Sequence, residues 1–265
     1  MVVSRGAEGQ RGRGERTWYL PLLCSPAPLL PAILGWRTTR FSLIQFSRFK
    51  ILMKLISVNI GLPREVVWKG KTVSTGIFKE PVSDRVMVRV LNLDGDGQAD
   101  LTVHGGADKA VYVYPFEHYD YWRGELPDTE LPLGIFGENF TIAGLREEDV
   151  NIGDRFQIGT VKLMVTQPRL PCYKLGIRFG RPDIVKQFLA SRRTGFYFRV
   201  LQEGEVGAGD TLELVSRDDN NITVANITQL YTREQNNPEL LHQAAQLEAL
   251  PKSWRDYFQK QSRRE

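Results

Sequence analysis

Two cysteines and three histidines in 265 residues set the first limits on this chain. So few cysteines cannot build a disulfide framework, and no Cys/His cluster is spaced for structural zinc or iron–sulfur ligation. A reducing compartment is then the default, and a cytoplasmic location is expected. No G-x-x-x-x-G-K-[ST] occurs, and Gly204 to Gly209 does not show the dinucleotide spacing behind a strand. That removes the common phosphate-loop and nicotinamide or flavin readings. The apolar stretch from Trp18 to Trp36 is interrupted by Pro21, Pro26, Pro28 and Pro31, which argues against a membrane helix. No repeat of twenty to fifty residues is present.

An excess of basic charge is also missing where it would matter. The formal net charge is +4, but residues 1–52 hold eight Lys/Arg against Glu8 and Glu15, leaving 27 basic and 29 acidic residues in the rest. The body carries no nucleic-acid footprint, and neither a nucleic acid nor a membrane is expected as a partner. Residues 1–52 read as an extension that is disordered, or that reflects the choice of start site, with Met53 as the natural start. An Arg-rich organellar targeting sequence is an alternative there. Cys24 belongs to that segment and is assigned no chemistry.

From Met53 onward, short apolar runs recur between turn residues. Strands are predicted at Leu55–Ile60, Thr72–Phe78, Val86–Leu93, Val111–Tyr114, Asn139–Ile142, Arg155–Ile158, Val161–Val165, Gly195–Leu201 and Thr211–Val215. So many short strands, with few long helical periods between them, predict a mainly β fold, closed or sandwiched. Helices are predicted at Glu117–Arg123 and Arg181–Ser191. After Asp219 the pattern changes to three short helices. Val224, Ile227 and Tyr231 mark the first. Leu240 to Leu250 mark the second, with Asn237 as cap and Pro238 at its first position. Trp254, Tyr257 and Phe258 mark the third, opened by a Ser253/Asp256 capping pattern. These helices are too evenly charged for a DNA reader, so a packing or docking appendage is expected. The predicted division is 1–52, 53–217 and 218–265.

Several stretches could carry chemistry. Cys172 stands in Thr166-Gln167-Pro168-Arg169-Leu170-Pro171-Cys172-Tyr173-Lys174, behind a proline and between two cations. Prolines 168 and 171 should stop the sheet ladder and hold the cysteine on a stiff turn. Neighbouring cations favour thiolate, so Cys172 reads as a nucleophile or soft-metal ligand, with a buried structural cysteine as the alternative. His104-Gly105-Gly106-Ala107-Asp108-Lys109 can turn backbone N–H groups toward an anion, or be a hairpin turn with an incidental histidine. Asp94-Gly95-Asp96-Gly97 begins like a calcium loop, but Ala99 and Gly105 stand where that loop needs Gly and Glu, so a surface loop leading into a site is expected instead. Arg199, inside an aromatic strand, needs an anion or a carboxylate, and a structural ion pair meets that need equally well.

Taken together, residues 90–121 and 167–175 closely resemble the MOSC domain, in the branch that carries a C-terminal three-helix domain, and the resemblance spans residues 53 to about 262. It implies a MOSC-type β-barrel that binds the molybdenum cofactor (molybdopterin with Mo), with Cys172 as the molybdenum ligand. Pyridoxal phosphate is not expected. The cofactor carries a phosphate, so Gly105, Gly106, Lys109, Asn139, Gln167, Arg169, Lys174 and Arg199 are the candidate anchors. Relatives imply reduction of N-hydroxylated compounds such as N-hydroxylated purines. Asp108 or His104 would then deliver protons, and a separate electron-donor reductase would supply electrons. A persulfide or cofactor carrier built on Cys172 is the alternative. A cysteine hydrolase pairing Cys172 with His104 lacks a third orienting group. Oligomeric state is left open.

Overall fold

The computed structural model describes residues 52–100, 105–232 and 237–263. The expectations for the N-terminal extension (apart from Leu52), Cys24 and His104 lie outside these residues. In chain order the strands are β1 (Lys54–Ile60), β2 (Arg64–Trp68), β3 (Lys71–Thr75), β4 (Glu80–Val82), β5 (Val86–Val88), β6 (Val111–Pro115), β7 (Phe140–Ala143), β8 (Arg155–Ile158), β9 (Val161–Pro168), β10 (Phe196–Gln202), β11 (Gly204–Val206) and β12 (Leu212–Ser216). The helices are α1 (Glu117–Glu125), α2 (Tyr173–Phe179), α3 (Ile184–Ser191), α4 (Val224–Thr232), α5 (Pro238–Gln246) and α6 (Lys252–Ser262), with a 3-10 turn at Ala107–Lys109. Among the described residues no helix is long and apolar enough to cross a membrane.

Eight strands form one mixed sheet in the order β12-β8-β9-β10-β6-β7-β1-β4, in which β6 and β7 run parallel. The barrel expectation needs correction, because this sheet does not close. β4 pairs with β1 from Val58 to Ile60 and occupies that part of its edge. Only the start of β1 is left for β12, through an isolated Lys54–Thr211 bridge and flanking bonds such as Leu212 N–H to the Met53 carbonyl, 2.9 Å.

The sheet's centre is buried on both faces. Along β6 the period of two sends Val111 and Val113 into the main core, while Tyr112 and Tyr114 enter a second, aromatic cluster. That second cluster is built with Trp122 of α1, Phe136 and Phe188 of α3, and Tyr114 stacks on Phe188 with ring centres 5.8 Å apart. The main core continues without a break into Ile227, Leu241, Ala244, Trp254 and Phe258 of the three C-terminal helices. Asn237 caps α5 as its position in the chain predicts: its side chain accepts from Leu240 N–H, with Pro238 following. The Ser253/Asp256 cap does not form, since α6 already starts at Lys252, whose ammonium holds Asp256 at 2.6 Å.

Other boundaries differ from the pattern for local reasons. The run Val86–Leu93 folds back at residues 89–92, where Arg89 N–H reaches the Asn92 carbonyl, so only Val86–Val88 is strand. The hairpin β2–β3 has no clear signature in the sequence. It turns on Lys69 and Gly70, both at positive φ, without the Asn-Gly or Asp-Gly signal of such turns. Strand β9 runs through Pro168 instead of stopping at Val165. Arg169 N–H bonds the Gly195 carbonyl on β10's side, so the nitrogen of Pro168 faces the other way. There β8 has already ended its pairing at Met164, and no ladder bond is lost.

The start of β10 is the most constrained point. Gly195 has φ +70°, and a Cβ there would stand 2.2 Å from the Val113 carbonyl oxygen. Its N–H donates to Glu147 Oε1 at 2.8 Å, while Glu147 Oε2 lies 2.6 Å from Nε2 of buried His118. Tyr112 and Tyr114 hydroxyls donate to the Thr194 and Arg193 carbonyls just before it. Gly195→Ala should therefore cost about 3 kcal/mol or more. Urea unfolding would show this as a much lower midpoint, and an unchanged midpoint would refute this account of β10.

Candidate cofactor-binding site

The link from β9 to α2 is short and held at both ends. Arg169 N–H bonds the Gly195 carbonyl at 3.0 Å, and Leu175 N–H bonds the Cys172 carbonyl at 3.0 Å. Leu175, Gly176 and Ile177 are buried beneath it. Cys172 stands at the N-cap position of α2, half-buried, on the stiff connection that prolines 168 and 171 suggest.

This link forms one wall of an open cleft, and the cleft is about 690 Å³ when counted out to its mouth. Thr75, Gly76 and Ile77 form another wall against Gly97, Gln98 and Ala99. The two segments approach so closely that a Cβ on Gly76 would lie 2.2 Å from the Gly97 carbonyl oxygen. Tyr112 and Tyr197, neighbours across β6 and β10, supply the floor with ring centres 5.4 Å apart.

Four cations line this cleft, namely Lys79, Lys109, Arg169 and Lys174, and no carboxylate does among the described residues. Arg169 is buried, with its guanidinium carbon 5.1 Å from the Tyr112 ring centre and 5.2 Å from that of Phe188. Its Nη1 is buried without a hydrogen-bond partner. Burial opposes the Arg169 cation, yet the field of Tyr112, Tyr197 and Cys172 favours it and moves its pKa upward overall. Burial pushes the Tyr112 and Tyr197 hydroxyls up, with Arg169 pulling the other way. Lys79 and Lys109 are pulled down, each chiefly by burial. Asp96 opposes that shift at Lys79 and Asp108 opposes it at Lys109.

Of the residues named from sequence, Gly105, Lys109, Asn139, Arg169, Cys172 and Lys174 come together around this cleft. Asn139 uses its side chain structurally: Oδ1 accepts from Tyr112 N–H, and Nδ2 donates to Asp96 and to the Asn59 carbonyl. Gly106, Asp108, Gln167 and Arg199 do not line it. Gly106 is exposed. Arg199 ion-pairs with Asp108, the carboxylate alternative for an arginine in that strand. Gln167 accepts a hydrogen bond from Trp254 Nε1 of α6 and donates to the Asp108 carbonyl at 3.4 Å. His104 lies outside the described residues.

Sequence reasoning missed Lys79, Tyr112, Tyr197 and Asp96. Asp96 is no calcium ligand here. It is buried, holds the Lys79 ammonium, and accepts from Gly61 N–H at 2.9 Å. The signal that could have found the pair is Lys79 itself, a cation in the apolar-flanked run Gly76-Ile77-Phe78-Lys79, which needs a buried acid.

The molybdenum cofactor can be tested against these donors. An anionic group would meet the unpartnered Arg169 Nη1 and neighbouring lysines, and a thiol stands beside them for a soft metal. The residues fit that group. Comparison with known proteins agrees with the architecture. The MOSC domain matches residues 100–213, and the YiiM-like, 3-alpha helix domain matches residues 222–261. The Bacillus subtilis (strain 168) protein YflK is 43% identical over 210 residues, covering 79% of this chain and 95% of that protein. The crystal structure of YiiM from Geobacillus stearothermophilus superposes with a TM-score of 0.66 at 37% identity, covering 79% of this chain and 99% of that one. A Gibberella moniliformis (strain M3125 / FGSC 7600) protein named Reductase is 33% identical over 181 residues, 67% of this chain but 32% of its own length. The chain belongs to the MOSC-domain family, in the branch that carries the YiiM-like three-helix domain.

Proposed function

We propose that this protein is a molybdenum-cofactor-dependent reductase of N-hydroxylated compounds, with N-hydroxylated purines as the substrate class. The observation that carries the reading is the cleft itself: four cations, no lining carboxylate among the described residues, a buried guanidinium with an unpartnered Nη1, and a thiol. MOSC domains are associated with this cofactor, and the relative named Reductase fits a redox role. When bound, the cofactor supplies a redox-active molybdenum that can accept oxygen from an N–OH group.

Cys172 would hold the metal as thiolate, and Arg169 and Lys174 would hold the anionic part of the cofactor. Converting N–OH to N–H with release of water consumes two electrons and two protons. Lys109 lines the cleft, and burial makes its ammonium a readier acid than an exposed lysine, so it takes the proton-delivery role. Asp108 is instead a positioning residue, with its carboxylate on Arg199 and its carbonyl on Thr166 Oγ1. Electrons come from a separate reductase.

Expressed in a host that makes the cofactor, the wild-type chain should carry molybdenum near stoichiometry, and Cys172→Ala should lose it. Turnover of an N-hydroxylated purine with an artificial reductant should follow the metal. Metal without turnover would leave a cofactor carrier, and a persulfide mass shift on Cys172 without metal would leave a sulfur carrier. Metal absent from both proteins, with a control protein loaded in the same cells, would remove the reductase reading.

Arg169 supplies an independent check. Charged hydrogen bonds are worth about 1.5–3 kcal/mol each, so Arg169→Met should weaken cofactor retention roughly 10- to 150-fold. The same change keeps an apolar side chain against the Tyr112 and Phe188 rings, so the cofactor-free protein should still fold with little change in melting temperature. A lower melting temperature with unchanged molybdenum content would make Arg169 a purely structural residue.

A further inference from the structure

Most arginines of the folded body whose contacts are resolved sit on carboxylates, as Arg85 does on Asp210, Arg89 on Asp94 and Arg181 on Asp183. Arg64 and Arg178 do not. They share one aromatic ring, with guanidinium carbons 3.7 Å and 5.0 Å from the centre of Phe78, and neither forms an ion pair among the described residues. Two like charges on one ring repel each other. The Nε of Arg178 is also buried without a hydrogen-bond partner. Burial, and after it the Arg64 charge, disfavours the Arg178 cation, while Glu80 and Glu138 favour it only from a distance.

Neither arginine lines the cleft, but each stands near residues that do. Phe78 lies between Ile77 and Lys79, which both line it. Lys174 lines it too, and it stands four residues before Arg178, on the same face of α2. On Arg64's side, a Cβ on the cleft residue Gly97 would come within 2.5 Å of Pro63. Positive charge therefore continues from the cleft toward Arg64 and Arg178, and neither of these two arginines has a carboxylate paired to it among the described residues.

We propose that Arg64 and Arg178 form an anion subsite at the rim, which takes a phosphate group of the ligand held in the cleft. Guanidinium suits this role because its planar fork matches a phosphate's oxygens, and the Phe78 ring holds both forks without neutralising them. The subsite rests on reading the cleft as a ligand site, but not on its redox chemistry. The phosphate has two possible sources, a nucleotide form of the substrate or the cofactor itself.

The test uses the full chain purified from a cofactor-making host. Calorimetric affinities for AMP and for adenosine are compared, and molybdenum per chain is measured, in wild type, Arg64→Gln, Arg178→Gln and Arg146→Gln as a control. Arg64 is exposed, so its variant should fold even if Arg178→Gln does not. A nucleotide source predicts AMP binding at least tenfold tighter than adenosine, lost in the Arg64 variant and kept in the control. A cofactor source predicts no AMP preference, but a severalfold fall in molybdenum per chain in the Arg64 variant. If neither quantity changes in Arg64→Gln, the subsite does not exist. Absence of N–OH reduction in the loaded wild type, with the AMP preference present and Arg64-dependent, would instead count against the reductase reading and leave the subsite standing.

Discussion

A guanidinium buried with no carboxylate beside it is the constraint around which this site is organised. Desolvating a cation costs several kcal/mol unless charge or hydrogen bonds offset it. Around Arg169 the protein supplies two ring faces and tyrosine hydroxyls, leaving Nη1 unmatched. Such a group persists only where the surrounding structure over-determines its position. Here Arg169's own N–H is tied to Gly195, whose conformation and contacts admit no side chain. The cost of holding an unmatched cation is thus carried by the centre of the sheet, where stability is concentrated.

That arrangement explains why β6, β9 and β10 are covered on both faces. A sheet with one wet face could not keep Tyr112, Tyr197 and Arg169 dry enough to preserve the field at the cleft. The aromatic cluster under α1 and α3 covers one side, and the core shared with the C-terminal helices covers the other. The helices also reach the site's support directly. Trp254 of α6 holds Gln167, and Gln167 and Thr166 hold the carbonyl of Asp108. The turn fixed in this way is the one that carries Lys109 into the cleft. A helical segment expected from sequence to be a packing appendage is in contact with the strand that leads to Cys172.

What was legible in the sequence follows the range of the physics. Local patterns were readable: β8 runs over the predicted Arg155–Ile158, and Asn237-Pro238 opens α5 because a cap and its proline are neighbours in the chain. Recognition of residues 167–175 as a motif located Cys172 and Arg169 on one cleft. Side-chain direction was not readable. Arg199 and Gln167 look like anchors in a linear motif, yet the pleat and the partners of β9 and β10 send them to Asp108 and Trp254. Contacts across long separations were also hidden. Lys79 and Asp96 belong to different loops, and Asp96 imitated a calcium ligand because local spacing was the only signal available. The missing barrel closure has the same origin, since competition between β4 and β12 for one edge of β1 is a property of the assembled sheet.

The charge of the body shows how little a global count constrains a site. Residues 53–265 hold slightly more acidic than basic groups. The cleft nevertheless collects four cations, while the acids nearest them, Asp96 and Asp108, are turned onto Lys79 and Arg199 behind its walls. Each of those two acids does a second task, Asp96 accepting from Gly61 and Asn139, and Asp108 from Thr166 and Gln167 through its carbonyl. Removing the Asp96 carboxylate would disturb the geometry of the wall as well as its charge, whereas the bonds to the Asp108 carbonyl belong to the backbone and would survive a change of side chain. Selectivity for an anion here is therefore built from the placement of carboxylates out of the cleft as much as from the placement of cations within it. An anion entering the cleft meets no carboxylate on its described walls, whereas a cationic ligand would face the like charges of Lys109, Arg169 and Lys174 in a partly desolvated space.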